Sequence, residues 1–81
     1  MRVKVIGYIG EMLSLPSEGQ EVLLDEPLSL GELTIRLWNV PFSMFTGAKV
    51  GDMTVSEEYE LSGDEEEVIL ISPVHGGGTS A

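Results

Sequence analysis

Val68-Ile69-Leu70-Ile71 is an unbroken apolar run with no polar residue at alternate positions. A strand with one wet face alternates in polarity. One that is apolar at every position needs apolar surroundings on both faces, as at the centre of a sheet. The run therefore predicts a central strand close to the C-terminal end of the chain. It is followed by Ser72, then Pro73-Val74-His75, then Gly76-Gly77-Gly78-Thr79-Ser80-Ala81, a stretch almost devoid of side chains. Glycine has no Cβ and passes through gaps closed to other residues. A thin tail leaving the middle of a sheet adds little to an ordinary domain. It adds a great deal to a chain that works through its own C-terminal carboxyl group.

The composition leaves room for only one core. With 81 residues, 42% of them hydrophobic, the chain is expected to form a single small globule. A domain of this size buries only about 60–65% of the surface its unfolded form exposes. The absence of cysteine excludes disulfides, thiolate metal sites and a cysteine nucleophile together. No stretch reaches the roughly 18 apolar residues of a membrane span, and the N-terminus lacks the apolar core and cleavage site of a signal peptide. A cytoplasmic protein without membrane contact is expected. The net charge of −10, from 14 acidic against 4 basic residues, argues against nucleic acid as a partner, since that binding rests on Lys and Arg at phosphates. An acidic surface suits basic protein partners, or serves solubility alone.

Along the chain, Val3 to Ile9 reads as a first strand, with Gly7 as a bulge or point of close approach. Ser17-Glu18-Gly19 reads as a turn. Gln20 to Leu24 reads as a second strand, with Val22 and Leu24 on one face and Leu23 on the other. Ser29 followed by Glu32 is a capping box, and Leu28 and Leu33 are placed as its hydrophobic staple. Leu30, Leu33, Leu37 and Trp38 then recur at helical spacing, and Asn39-Val40-Pro41 stops the helix. One helix over Leu30 to Trp38 follows. Phe42 to Lys49 reads as a third strand, Gly51-Asp52 as a turn and Met53 to Val55 as a short extended piece. Ser62-Gly63-Asp64 is a turn, and Glu65-Glu66-Glu67 a solvated run before the last strand.

One helix among short strands predicts an α+β fold in which the helix covers one face of a small mixed sheet. The other face of the last strand would then be an exposed apolar patch open to a partner. The folded domain is expected to span residues 1–75, with 76–81 as a flexible glycine-rich tail. His75, the only histidine, has no cysteine or second histidine near it and reads as a solvent-facing tail residue, not a metal ligand. Asp64 to Glu67 read as a solvated face, because consecutive carboxylates on an extended chain point to alternate sides. Trp38, Met44 and Phe45 read as core or partner-contact residues.

The order of elements, the turn Gly63-Asp64, the apolar strand Val68 to Ile71 and the sequence Pro73-Val74-His75-Gly76-Gly77 together resemble the ubiquitin-like β-grasp sulfur carriers. The likeness is greatest to the molybdopterin synthase small subunit and thiamin sulfur carrier group. Element order is similar over the whole chain, whereas the specific motif occupies only its last fifteen or so residues. Two departures stand out. Glu65-Glu66-Glu67 lengthens the approach to the strand, and the chain continues past Gly77 through Gly78-Thr79-Ser80-Ala81.

The resemblance implies a carrier, not an enzyme. An E1-like activating enzyme would use ATP and Mg²⁺ to adenylate the terminal glycine carboxylate, and a sulfur donor would convert it to a thiocarboxylate. Gly77 would be the reacting terminus after a peptidase trims the tail, with Gly78 as the alternative and Gly76 beside it. Pro73, Val74 and His75 would contact the partner. The chain itself would bind no cofactor and no metal. The large catalytic subunit of molybdopterin synthase is the expected acceptor, in molybdopterin or tungstopterin assembly. Thiamin thiazole, thiolated tRNA or cysteine would be alternative destinations of the sulfur. Two other expectations compete: a protein modifier joined to lysines of targets, and a binding module with an inert tail.

Overall fold

Ser29 starts the main helix through side-chain hydrogen bonds. In the computed structural model, which describes residues 1–74, the Glu32 N–H donates to Ser29 Oγ at 3.2 Å and the Ser29 N–H donates to Glu32 Oε1 at 3.4 Å. The capping box is thus complete. The elements in chain order are β1 (Arg2–Ile6), α1 (Tyr8–Met12), β2 (Gln20–Glu21), β3 (Leu28–Ser29), α2 (Leu30–Trp38), a 3₁₀ turn (Phe42–Met44), β4 (Gly47–Val50), β5 (Met53–Val55), β6 (Glu60–Leu61) and β7 (Glu67–Ile71). Asn39 closes α2 in the left-handed conformation, φ 58° and ψ 36°, and its N–H reaches Ile35 O at 2.8 Å. Leu28 and Leu33, the expected staple pair, are both in the core.

Five strands form one mixed sheet in the order β2-β1-β7-β4-β5, and β3 and β6 form a separate two-stranded ladder. The apolar strand β7 lies at the centre, parallel to β1 on one side and antiparallel to β4 on the other. Its residues alternate between two environments. Val68 and Leu70 are fully buried, along with Val3, Val5 and Ala48 of the neighbouring strands and Leu30 and Leu33 of α2. The fold is therefore α+β, a small mixed sheet with one main helix on one face.

Four segments differ from the sequence reading. The first strand stops at Ile6 instead of Ile9, because Gly7 adopts φ 95° and the chain turns into α1. The second strand keeps only two of five residues in its ladder with β1, although Met1 and Val22 still exchange backbone hydrogen bonds, the Val22 N–H donating to Met1 O at 2.8 Å and the Met1 amino group to Val22 O at 3.2 Å. Its expected facing nonetheless holds beyond the ladder, with Val22 buried and Leu23 88% exposed. Phe42 to Met44 is a 3₁₀ turn, not a strand. Residues three apart eclipse in that geometry, so Phe42 and Phe45 share one side, ring centroids 6.1 Å apart, and Trp38 lies 6.3 Å from Phe45. The β3–β6 ladder has no counterpart in the sequence reading.

The charge run is also more structured than expected. Glu65 accepts from the Ser62 N–H at 3.0 Å and the Gly63 N–H at 2.9 Å, and the Asp64 N–H donates to Ser62 Oγ at 3.2 Å. Partial burial pushes the Glu65 pKa up, but the amides of Ser62, Glu65 and Gly63 and the Ser62 hydroxyl outweigh it and hold the carboxyl below its ordinary value. Glu67 belongs to β7 and pairs with Lys4 at 3.5 Å. Of Asp64 to Glu67, Asp64 and Glu66 are exposed and Glu65 and Glu67 half-buried. No helix of the described residues is long and apolar enough to cross a membrane.

Candidate functional site

The uncovered face of the sheet follows directly from strand register. Lys4 pairs with Ile69, and Ile69 pairs with Lys49 on its other side, so the three side chains form one row across β1, β7 and β4. Ile6, Ile71 and Gly47 form the next row toward the end where the chain leaves β7. Arg2 and Glu67 form the row at the opposite end. Ile6 is 49% exposed, while Ile69 and Ile71 are half-buried. The expected apolar patch is present, but it carries charge as well. Three of the four cations of this acidic chain, Arg2, Lys4 and Lys49, lie on this one face.

These cations are only lightly neutralised. Lys4 Nζ stands 3.5 Å from Glu67 Oε2, and Arg2 Nη2 stands 3.6 Å from Glu21 Oε1. Lys49 makes no ion pair among the described residues. Glu21 lies beside Arg2 at the sheet edge. The hydrogen bond from the Met1 amino group, reinforced by its charge, holds the Glu21 carboxyl below its ordinary value. The face thus combines an aliphatic centre with basic flanks, on a body that is otherwise strongly acidic.

At the exit of β7 the backbone is held from both sides. Thr46, just before β4, donates its N–H to Ile71 O at 2.7 Å and its hydroxyl to the same oxygen at 3.1 Å. From the β1 side, the Ser72 N–H donates to Ile6 O at 2.9 Å and Ser72 Oγ donates to Ile6 O at 2.7 Å. The Ile9 N–H then donates to Ser72 Oγ at 3.0 Å, and the Tyr8 N–H to Pro73 O. Gly7 makes room for this approach. A Cβ there would collide with the Ser72 carbonyl and stand 2.7 Å from Ser72 Oγ and 2.8 Å from Pro73 O. Gly7 is therefore a point of close approach, as its position in the sequence suggests.

Of the residues singled out from sequence, Pro73 and Val74 sit just past this corner. Both are exposed, Val74 at 75%. His75, Gly76, Gly77 and Gly78 lie outside the described residues, as does the tail 76–81. Phe45 is buried, Trp38 half-buried and Met44 47% exposed. Among the described residues, no group of three or more His, Cys, Asp or Glu side chains is placed to hold a metal ion.

Two elements of the site went unread in the sequence. The alternation Arg2-Val3-Lys4-Val5 carries the cations to one face and the valines to the other, a period-two signal available from the start. Ser72 continues the core-facing parity of Val68 and Leu70, so a hydroxyl there marks a buried polar group needing partners. No protein-family model matches the chain, and no curated protein matches it at a significant level.

Proposed function

We propose that this chain is a ubiquitin-like β-grasp carrier of sulfur, whose working group is the carboxyl of Gly77 once whatever follows that residue has been removed. The observation that carries the reading is the path of the chain. The central strand β7 ends at a pinned corner, beside an uncovered basic and aliphatic face, and Gly76-Gly77 follow four and five residues after Ser72 in sequence. Recognition and chemistry are then separate tasks. The face docks the body, and the glycine arm brings the carboxylate to the partner's reacting centre.

The residue types suit that chemistry. A carboxylate is a poor electrophile. Attack of its oxygen on the α-phosphorus of ATP expels pyrophosphate and leaves an acyl-adenylate. Hydrosulfide then adds to the carbonyl carbon, the acyl–phosphate bond breaks with departure of AMP, and loss of a proton leaves the thiocarboxylate. Mg²⁺ and ATP belong to the activating enzyme, which also excludes water from the anhydride. A terminal glycine leaves the carbonyl unhindered and lets the arm lie extended. The Pro73-Val74 step favours molybdopterin or tungstopterin assembly as the destination, with the large catalytic subunit of the synthase as acceptor.

The test is intact-mass spectrometry of the chain trimmed to Gly77, incubated with an E1-like activating enzyme from the same cell, MgATP and a sulfide donor. A mass gain equal to sulfur minus oxygen is expected, and it should vanish in the chain that retains Gly78 to Ala81. No gain with the trimmed chain overturns the reading. Stable conjugates to lysines of other proteins, without any thiocarboxylate, would replace it with the modifier reading.

A further inference from the structure

We propose that Ser72 is a positioning residue: its buried hydroxyl fixes the root of the C-terminal arm, so that only the residues from Val74 onward are left to enter a partner's channel. This rests on the carrier reading above. Ser72 is 5% exposed and is one of only two buried polar residues among those described. The other, Thr34, satisfies its hydroxyl within its own helix, donating to Gly31 O at 3.1 Å. Ser72 instead ties together segments at opposite ends of the chain, donating to Ile6 O at 2.7 Å and accepting from the Ile9 N–H at 3.0 Å. A buried hydroxyl is tolerated only while its partners are in place. Its side chain and the local backbone are therefore fixed together.

The next residue extends the constraint. Tyr8 N–H holds Pro73 O, and the proline ring locks its own φ. Among the described residues, that carbonyl is the last backbone group of the chain held by a hydrogen bond. From Val74 to Gly77 there are four residues, which span at most about 14 Å when fully extended. The partner's reacting centre must lie within that distance of the corner when the sheet face is docked. A loosened root would lengthen the tether and spread the terminus over a larger volume, lowering its effective concentration at that centre.

Docking and delivery then separate kinetically. A carrier that is merely less stable supplies less folded protein, which raises its apparent KM and leaves kcat at saturation unchanged. A carrier with a loose root docks normally and delivers its carboxylate poorly, which lowers kcat at constant KM.

The experiment compares Ser72→Ala, Ser72→Thr, Gly7→Ala and the control Thr34→Ala, all in the chain trimmed to Gly77, which keeps every described residue. Thiocarboxylate formation by the activating enzyme with MgATP and sulfide gives kcat and KM. Hydrogen exchange reports the Tyr8 and Ile9 amides. For Ser72→Ala, kcat should fall about tenfold with KM within about twofold, and protection of both amides should be lost. Gly7→Ala should act in the same direction from the other side of the contact, and Ser72→Thr should restore kcat. Thr34→Ala should lower the melting temperature without lowering kcat. If wild type is charged and Ser72→Ala keeps kcat, or changes only KM as a destabilised chain does, the inference is overturned and the carrier reading stands. If the trimmed wild type takes up no sulfur, the carrier reading falls and takes the inference with it.

Discussion

Val68 and Leu70 face the helix, while Ile69 and Ile71, their neighbours on the same strand, face away from it. All four are large aliphatic residues in one run. The first pair is fully buried among Val3, Val5, Ala48, Leu30 and Leu33. The second pair is half-buried and lies in rows with Lys4 and Lys49 or with Ile6 and Gly47. One strand thus carries stability on one face and an uncovered aliphatic and basic surface on the other. An apolar run at the centre of a sheet does not by itself mean that both faces dry out on folding.

The sharpest test of this difference is truncation on either face. Leu70→Ala is expected to cost about 2–5 kcal/mol in urea unfolding, the range for a fully buried leucine that leaves a cavity. Ile69→Ala should cost roughly 1 kcal/mol, because part of its surface is already in water. Equal losses would show that the second face is covered within the chain itself. The next largest effect concerns charge. On the carrier reading proposed above, Lys4→Gln together with Lys49→Gln should weaken docking to the activating enzyme by about tenfold at low ionic strength, with little change in melting temperature. The difference should shrink as salt is added, since a Debye length of about 8 Å at physiological ionic strength screens exposed charges. A salt-independent loss would place the partner contact elsewhere.

A smaller effect belongs to the turn that feeds the strand. Glu65 is held below its ordinary pKa, so the folded state keeps its carboxylate ionised where the unfolded chain takes up a proton. Stability from this group is complete above the unfolded carboxyl value of about 4.3. It is lost as pH falls from there through the lower folded value. Glu65→Gln should cost on the order of 1 kcal/mol at neutral pH and flatten that part of the acid limb in a denaturation series. An unchanged limb would mean the hydrogen bonds to Ser62 and Gly63 do not favour the ionised form. Least of all is expected from Leu23→Ser. Leu23 is 88% exposed and sits on neither face of β7, so the change should stay within about 0.5 kcal/mol in unfolding and leave docking unaltered.

Legibility in the sequence follows the range of the interactions. The helix Leu30–Trp38 was readable to the residue, because Ser29, Glu32 and Asn39 set its ends by bonds within a few positions. The central place of the last strand was readable from its lack of alternation. Strand lengths were not. β1 ends where Gly7 meets Ser72, more than sixty residues away in sequence. The 3₁₀ turn at Phe42–Met44 follows from aromatic packing of Phe42 on Phe45, which a strand propensity scale reads as extended. At the site, Pro73 and Val74 were legible as motif. The basic face needed the register that brings Lys4 and Lys49 to either side of Ile69.

The parallel pairing of β1 with β7 has a consequence for how the protein is made. Arg2 finds its parallel partner only at Glu67, and β4, paired with β5 on one side, gains its other neighbour from the same strand. Before Glu67 is synthesised, β1 has only a two-residue neighbour, too little to hold a sheet in water. Such distant pairing also slows folding, since the intervening chain must be closed before its contacts repay the entropy. The five-stranded sheet therefore cannot close until Glu67–Ile71 have been made. A chain broken off early cannot fold into a shorter version of itself. Closure of the sheet is thus open only to copies that already carry β7.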